Sequence, residues 1–169
     1  GFIDDEELAN EDDMATKVWS CEERPPDPFK WFRDIGLKVL DKTEGGGWIP
    51  FRAWDFQKEL MKARIARKSG IAVKSRQLGA TTCLQFADFY SLIWMGPFHD
   101  HWGAKDLEKS KAMLREIRES IVRCKLPEGI QERLDLGGKT SEVIRFETDR
   151  FSNYIHCHAP TEGVARGFP

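Results

Sequence analysis

Residues 74–82 have the sequence KSRQLGATT and follow a short apolar run at residues 71–73. A glycine followed by hydroxyl residues at the start of a helix is typical of a phosphate-binding loop, because backbone N–H groups and the helix dipole favour an anion there. The common form of this loop is GxxxxGK[ST], whose lysine contacts the terminal phosphates and whose hydroxyl binds Mg²⁺. The segment fits this pattern except for its lysine, because Ala80 stands at the usual lysine position.

Alignment of Gly79 with the second glycine of that pattern puts Ala80 at the lysine position and Thr81 at the magnesium position. Lys74 then occupies the place of the first glycine. A lysine at the loop entrance can still neutralise the β- and γ-phosphates, and Arg76 adds a guanidinium suited to phosphate oxygens. The simpler alternative is a threonine-capped helix start beside solvated basic residues. The loop alone does not decide between the two.

The longer segment FRAWDFQKELMKARIARKSGIAVKSRQLGATT resembles the ATPase of phage and viral terminase large subunits, which package DNA into capsids. In that family the loop is a deviant Walker A, commonly K-[AS]-R-Q-x-G-x-[ST]-[ST], whose lysine comes first, as Lys74 does. An upstream aromatic–Gln pair contacts the adenine, and WDFQKEL matches it at Phe56 and Gln57. APTEGVARGFP is similar to the Arg-Gly segment that precedes the family's Walker B strand. The resemblance extends from about Trp48 to the C-terminus.

The resemblance implies catalytic roles for Lys74, which would neutralise the β- and γ-phosphates, and for Arg76, as an arginine finger in cis. Thr81 would bind Mg²⁺, and Thr82 would cap the helix or contact the α-phosphate. Arg166 would be a possible sensor of nucleotide or act across a subunit ring, although a structural salt bridge is equally expected. The implied nucleotide-binding residues are Phe56, Gln57, Ser75, Gln77, Leu78, Gly79, Ala80, Thr81 and Thr82.

Without the resemblance, Phe56 and Gln57 would be interpreted as a core aromatic residue beside a surface amide. The HCH sequence at His156 and His158 suggests a metal site, but alternation along a strand favours a surface pair, because no acidic or Cys pattern lies nearby. The charged segment 105–125 is predicted to be a helix with one solvated face.

The resemblance implies ATP and Mg²⁺ as cofactors, and double-stranded DNA, a portal protein and the small terminase subunit as partners. It also implies a homo-oligomeric ring in the host cell cytoplasm, without a membrane. The family's Walker B strand, catalytic glutamate and nuclease domain would follow Pro169, so we expect a fragment that is inactive as an ATPase by itself. One alternative is a superfamily 2 helicase-like translocase, although those usually keep GK[ST]. Another is a non-catalytic capsid- or DNA-associated adaptor.

The composition of the 169 residues is compatible with these expectations. The chain has 40% hydrophobic and 32% charged residues with a net charge of −2, so any contact with DNA would be local. Its four cysteines are scattered without a CxxC pair, which argues against a disulfide scaffold or a zinc ribbon. The first twenty residues are acidic, unlike a signal peptide.

Hydrophobic periodicity predicts an alternation of helices and strands. Residues 1–44 are expected to form an acidic arm and an amphipathic helical lead-in, and residues 45–169 the N-terminal part of a P-loop ATPase domain. The alternation predicts an α/β fold with a parallel sheet, and the resemblance implies an ASCE or RecA-like P-loop NTPase, whose sheet would be flanked by helices and incomplete at the C-terminus. The expected elements are a helix carrying Phe29, Phe32, Ile35 and Val39, helices near 54–68, 79–94 and 105–125, a strand near 69–75, and a hairpin at 141–159.

Overall fold

The computed structural model describes residues 24–68 and 79–159. Its helices are α1 (Pro28–Asp34), α2 (Asp55–Ile65), α3 (Ala80–Trp94), α4 (Leu107–Ile121) and α5 (Glu128–Arg133). Its strands are β1 (Lys38–Leu40), β2 (Trp48–Pro50), β3 (His99–Gly103), β4 (Leu134–Asp135), β5 (Val143–Glu147) and β6 (Ser152–His158). None of the helices in these two ranges has the length and apolarity needed to cross a membrane.

Helix α1 is shorter than the sequence predicted. The side chain of Asp27 accepts a hydrogen bond from the backbone N–H of Phe29 (2.9 Å) and so caps the first turn. The helix ends at Asp34, because Gly36 takes a left-handed conformation (φ 66°) and its N–H bonds back to a carbonyl of the last turn. Val39, which periodicity assigned to the same helix, lies instead in β1.

Strand β1 pairs with β2 in an antiparallel hairpin, and its connecting loop contains the glycine-rich segment. The domain boundary predicted near residue 44 falls in this loop. The core nevertheless includes residues from both sides of it, since Trp31 of α1 packs against Phe89 and Trp94 of α3 with ring centroids 5.5 and 6.0 Å apart. The two predicted domain ranges stay a prediction.

The larger sheet has four strands in the order β3-β6-β5-β4. Strand β3 runs parallel to β6, whereas β6–β5 and β5–β4 are antiparallel, so the described sheet is mixed rather than parallel. The hairpin predicted at residues 141–159 is confirmed as β5 and β6. Helices α3 and α4 contact β6 from the side of its buried residues, so the chain is a mixed α/β protein.

Helix α3 coincides with the apolar segment that predicted it and is buried around most of its circumference. Helix α4 is amphipathic as predicted, with Leu114, Ile117 and Ile121 in the core. The buried side chain of Asn153, on β6, fixes the connection from α3 to β3. Its Nδ2 donates to the carbonyls of α3's last turn and the following residue, and its Oδ1 accepts from the N–H of Phe98 (2.8 Å).

Candidate functional site

The structure describes part of the predicted nucleotide-binding set. Within the two described ranges lie Phe56, Gln57, Gly79, Ala80, Thr81 and Thr82. Outside them lie Lys74, Ser75, Arg76, Gln77, Leu78 and Arg166, together with the strand predicted near residues 69–75. The roles of the second group therefore stay predictions.

The side chain of Gln57 lies against Gly79. A Cβ atom built on Gly79 would be 3.1 Å from Gln57 Nε2. The amide is fixed from its other end, because Oε1 accepts a hydrogen bond from the backbone N–H of Trp54 (2.9 Å). Gly79 has φ 67°, a left-handed conformation that favours glycine. The fold thus brings the amide of the aromatic–Gln pair to the start of α3.

Phe56 and Gln57 have the reverse of the burial expected for a core aromatic residue and a surface amide. Phe56 is 45% exposed, whereas Gln57 is 8% exposed. Phe56 is next to another exposed ring, that of Trp54, with centroids 5.8 Å apart. An exposed aromatic face beside an oriented amide is suited to stacking on a planar ring and hydrogen bonding to its edge.

The start of α3 differs from a threonine-capped helix. Its N-cap residue is Gly79, which has no side chain to accept from the first N–H groups. Thr82 therefore does not cap the helix, and of its two predicted roles only the α-phosphate contact is left as a prediction. Ala80 is buried in the core and Thr81 is exposed. An uncapped first turn offers backbone donors to an anion.

A cleft of about 1070 Å³ lies between α2, α3 and β3, with Thr81 in its lining. Its floor contains a charged cluster that the sequence analysis missed. Arg64 of α2 donates to Asp88 of α3 (Nε–Oδ1 2.7 Å) and to Asp100 of β3 (2.5 Å). The indole N–H of Trp102 donates to both carboxylates, at 2.9 and 3.0 Å.

The two carboxyl groups differ in their pKa. Burial raises the pKa of Asp88 to about 7, against the opposing effect of Arg64. Burial also acts to raise the pKa of Asp100, but hydrogen bonds from Asp88, Arg64 and Trp102 outweigh it and hold that pKa below its usual range. The two carboxyl groups are coupled, because the state of each one changes the pKa of the other. The cluster has a structural role, because its hydrogen bonds connect α2, α3 and β3 and occupy both carboxyl groups.

The pairing of β3 with β6 also adds a third member to the two histidines of the HCH sequence. His101 lies directly opposite His156 in the register, and His101 Nδ1 is 2.6 Å from His158 Nε2. One ring nitrogen from each of these residues lies within 4.8 Å of the others. Burial and the neighbouring His158 lower the pKa of both His101 and His156. The predicted surface pair is therefore a half-buried group of three.

Two sequence signals pointed toward the missed residues. Asp88 is the one charged residue of the mostly apolar helix α3, which marks it as a buried acid that needs a partner. If the segment HDHWG is a strand, its period-two alternation puts Asp100 and Trp102 on one face and His99 and His101 on the other. Neither signal could identify partners from other elements.

Comparison of the chain with protein-family models, with curated proteins and with solved structures gave no match. Its function must therefore be inferred from its residues and their geometry. The described residues offer two places for a ligand. One is the start of α3 beside Phe56 and Gln57, which is suited to a nucleotide, and the other is the three-histidine group, which is suited to a metal ion.

Proposed function

We propose that the chain is the ATP-binding part of a terminase-type large subunit with a P-loop NTPase fold. In the whole protein, ATP hydrolysis would drive double-stranded DNA through a portal ring into a viral capsid, in the host cell cytoplasm. The small terminase subunit and further copies of the protein in a ring would be its partners. The observation that carries the proposal is the contact of the Gln57 amide with Gly79 at the start of α3.

That contact supports nucleotide binding because it brings a surface suited to the base next to a surface suited to the phosphates. At one end, the exposed face of Phe56 would stack on adenine while the amide of Gln57 bonds to the ring edge. At the other end, the uncapped first turn of α3 would bind phosphate oxygens through its N–H groups. A nucleotide has both a planar ring and phosphate oxygens, whereas a free anion would not require the aromatic–amide pair.

The remaining roles follow the family pattern and belong to the same proposal. Lys74 would neutralise the β- and γ-phosphates, and Arg76 would stabilise the charge of the transition state. The exposed hydroxyl of Thr81 would bind the Mg²⁺ ion that bridges those phosphates. Arg166 would sense the nucleotide. Hydrolysis would also need an acidic strand like that of the family, so the direct test of this chain is binding rather than turnover.

The proposal is tested by titrating the chain with ATP, GTP and adenosine in the presence of Mg²⁺, using calorimetry. We expect ATP to bind more tightly than GTP, because Gln57 would bond to the adenine edge. Gln57→Ala should weaken ATP and adenosine alike, by about tenfold for one lost hydrogen bond to a charged or buried partner. Lys74→Ala should weaken the binding of ATP but leave the binding of adenosine unchanged.

The matched control for Lys74→Ala is Lys62→Ala, which removes an equal charge from an exposed lysine paired with Glu59. This control should bind ATP as the original chain does. Absence of saturable ATP binding would refute the proposal and favour a non-catalytic adaptor. In a longer chain that continues through an acidic strand, Lys74→Ala should abolish ATP turnover, and near-normal turnover would refute the displaced lysine.

A further inference from the structure

The three-histidine group, defined as His101, His156 and His158, lies on the face of the four-stranded sheet opposite α3 and α4. Parallel pairing places His101 of β3 beside His156 of β6, and period-two alternation puts His158 on the same face. The rings converge, with centroids of His156 and His158 4.0 Å apart and those of His101 and His158 4.8 Å apart. Each of the three is half-buried.

The spacing of the ring nitrogens is close to that of a metal site. Zinc–imidazole bonds are about 2.0–2.1 Å long, so two imidazole nitrogens on one tetrahedral ion are about 3.4 Å apart. The candidate nitrogens lie within 4.8 Å of one another, and one pair is already at 2.6 Å. Small rotations of the side chains would equalise these distances. The three nitrogens are therefore close enough together to share one metal ion.

The backbone under the group is held in place. The main-chain carbonyl of His158 accepts a hydrogen bond from the hydroxyl of Ser110 on α4 (3.1 Å). The backbone N–H of Cys157, which lies between two of the histidines, donates a hydrogen bond to the main-chain carbonyl of Glu142 (2.8 Å). Ligands on paired strands, rather than on a loop, lose little conformational freedom when they bind an ion.

Among residues 24–68 and 79–159, the neighbouring acids and thiol are directed elsewhere, so the donor set from these ranges consists of imidazoles. Cys157 lies on the buried face, where its thiol donates to the carbonyl of Ser110. Asp100 is held by Arg64 on the helix side of the sheet, and Glu142 forms an ion pair with Lys111 (3.0 Å). Imidazole ligands favour Zn²⁺, Co²⁺, Ni²⁺ and Cu²⁺ over Mg²⁺ and Ca²⁺, which prefer oxygen.

We propose that His101, His156 and His158 bind a divalent transition-metal ion, with Zn²⁺ as the principal ligand and water completing its coordination. Three protein ligands and one water molecule are typical of zinc sites that keep an open position. This site is separate from the Mg²⁺ of the proposed nucleotide site in both its residues and its ligand chemistry. It does not depend on the chain binding ATP.

The test is calorimetric titration of the chain with ZnCl₂, after treatment with a chelator and without a polyhistidine tag. We expect saturable binding of one ion per chain and no comparable binding of Mg²⁺. Co²⁺ should give the intense visible absorption of a four-coordinate site. Replacing any one member, as in His101→Ala, His156→Ala or His158→Ala, should weaken Zn²⁺ binding at least about tenfold, since even the loss of an outer-shell partner costs that much.

The matched control is His99→Ala, because His99 is the fourth histidine of the chain and lies on the same strand and face as His101. It stacks on Tyr154 with centroids 4.5 Å apart and is outside the three-histidine group. This variant should keep the affinity for Zn²⁺. Circular dichroism would verify that each variant is folded. Lack of saturable Zn²⁺ binding, or equal weakening by His99→Ala and by the three group variants, would overturn the proposal.

Discussion

Among single residues, Phe56 and Gln57 have the reverse of the burial that their hydrophobicity would favour. A large aromatic side chain gains about 1.5–3 kcal/mol from burial, and a buried amide costs free energy unless it is hydrogen-bonded. The chain nevertheless exposes Phe56 and buries Gln57, whose oxygen is bonded to the backbone of Trp54. The hydrogen bond to Trp54 caps the start of α2 and so accounts for the buried amide, whereas the exposed ring of Phe56 is suited to a planar ligand.

Gly79→Ala tests the close approach of α3 to Gln57. The alanine would be strained at φ 67°, and its Cβ would lie 3.1 Å from Gln57 Nε2. We expect the free energy of unfolding to fall by about 1–2 kcal/mol, measured by urea denaturation, and ATP binding to weaken with it. Gly47→Ala is the matched control, because a Cβ there meets nothing within 4 Å and the φ angle is not left-handed. Equal effects of the two substitutions would contradict this account.

Among the elements, Arg64, Asp88 and Asp100 connect α2, α3 and β3 near the predicted phosphate site. Arg64 lies between two acids. Burial acts to lower its pKa, but the hydrogen bonds and ion pairs with Asp88 and Asp100 outweigh burial and raise that pKa above its usual range. The indole N–H of Trp102 donates a hydrogen bond to each of the two acids. A change in this cluster should alter the packing of α2 on α3, and hence the contact between Gln57 and Gly79.

Asp88 predicts a pH dependence of stability. A carboxyl whose pKa is higher in the folded chain favours folding below its unfolded value of 3.8, and this contribution is lost as the pH rises through about 7. Asp88→Asn is uncharged at every pH. We therefore expect its free energy of unfolding, relative to the original chain, to increase between pH 5 and pH 7.5, measured by denaturation at each pH.

The relevant quantity is the difference in the free energy of unfolding between Asp88→Asn and the original chain. The reason is that His101 and His156 change stability with pH in the opposite direction. Their pKa values are lower in the folded chain, so their contribution is present above the unfolded value of 6.5 and lost at lower pH. These histidines are common to both proteins and cancel. The groups facing Asp88 are Arg64, Asp100 and Trp102. A pH-independent difference would show that Asp88 is ionised throughout this range.

For the whole molecule, one hydrophobic core joins α1 to the sheet. Phe32 is 1% exposed and packs against Tyr90 and Phe86 of α3. The sheet itself has a buried side, covered by α3 and α4, and a polar side that carries the three-histidine group. The two proposed ligand sites use different residues, although Thr81 and His101 both line the cleft between α2, α3 and β3.

Phe32→Ala tests whether α1 unfolds together with the rest. We expect a single unfolding transition, with a loss of about 3–5 kcal/mol, because the substitution leaves a cavity in the shared core. The measurement is urea denaturation followed by both tryptophan fluorescence and circular dichroism. Phe56→Ala is the matched control, since the exposed ring should cost about 0.5 kcal/mol or less. An early separate transition would instead support a boundary near residue 44.

Local sequence patterns were sufficient to predict α2, α3, α4 and the β5–β6 hairpin. Apolar spacing depends on near neighbours, and each of these segments has one clear period over its length. The family resemblance, and not the apolar spacing, assigned Gln57 and Gly79 to one site, and in the structure the two residues lie close together. The assignment of ATP to that site stays a proposal.

Tertiary structure decided what depends on residues distant in sequence. Periodicity alone carried α1 as far as Val39, whereas the left-handed Gly36 ends the helix and frees that residue to pair with β2. Strand register put His101 beside His156, and helix packing gave Asp88 its partner Arg64. Burial and pairing are properties of the assembled core, since a side chain's neighbours across a sheet or between helices are not encoded in any local window.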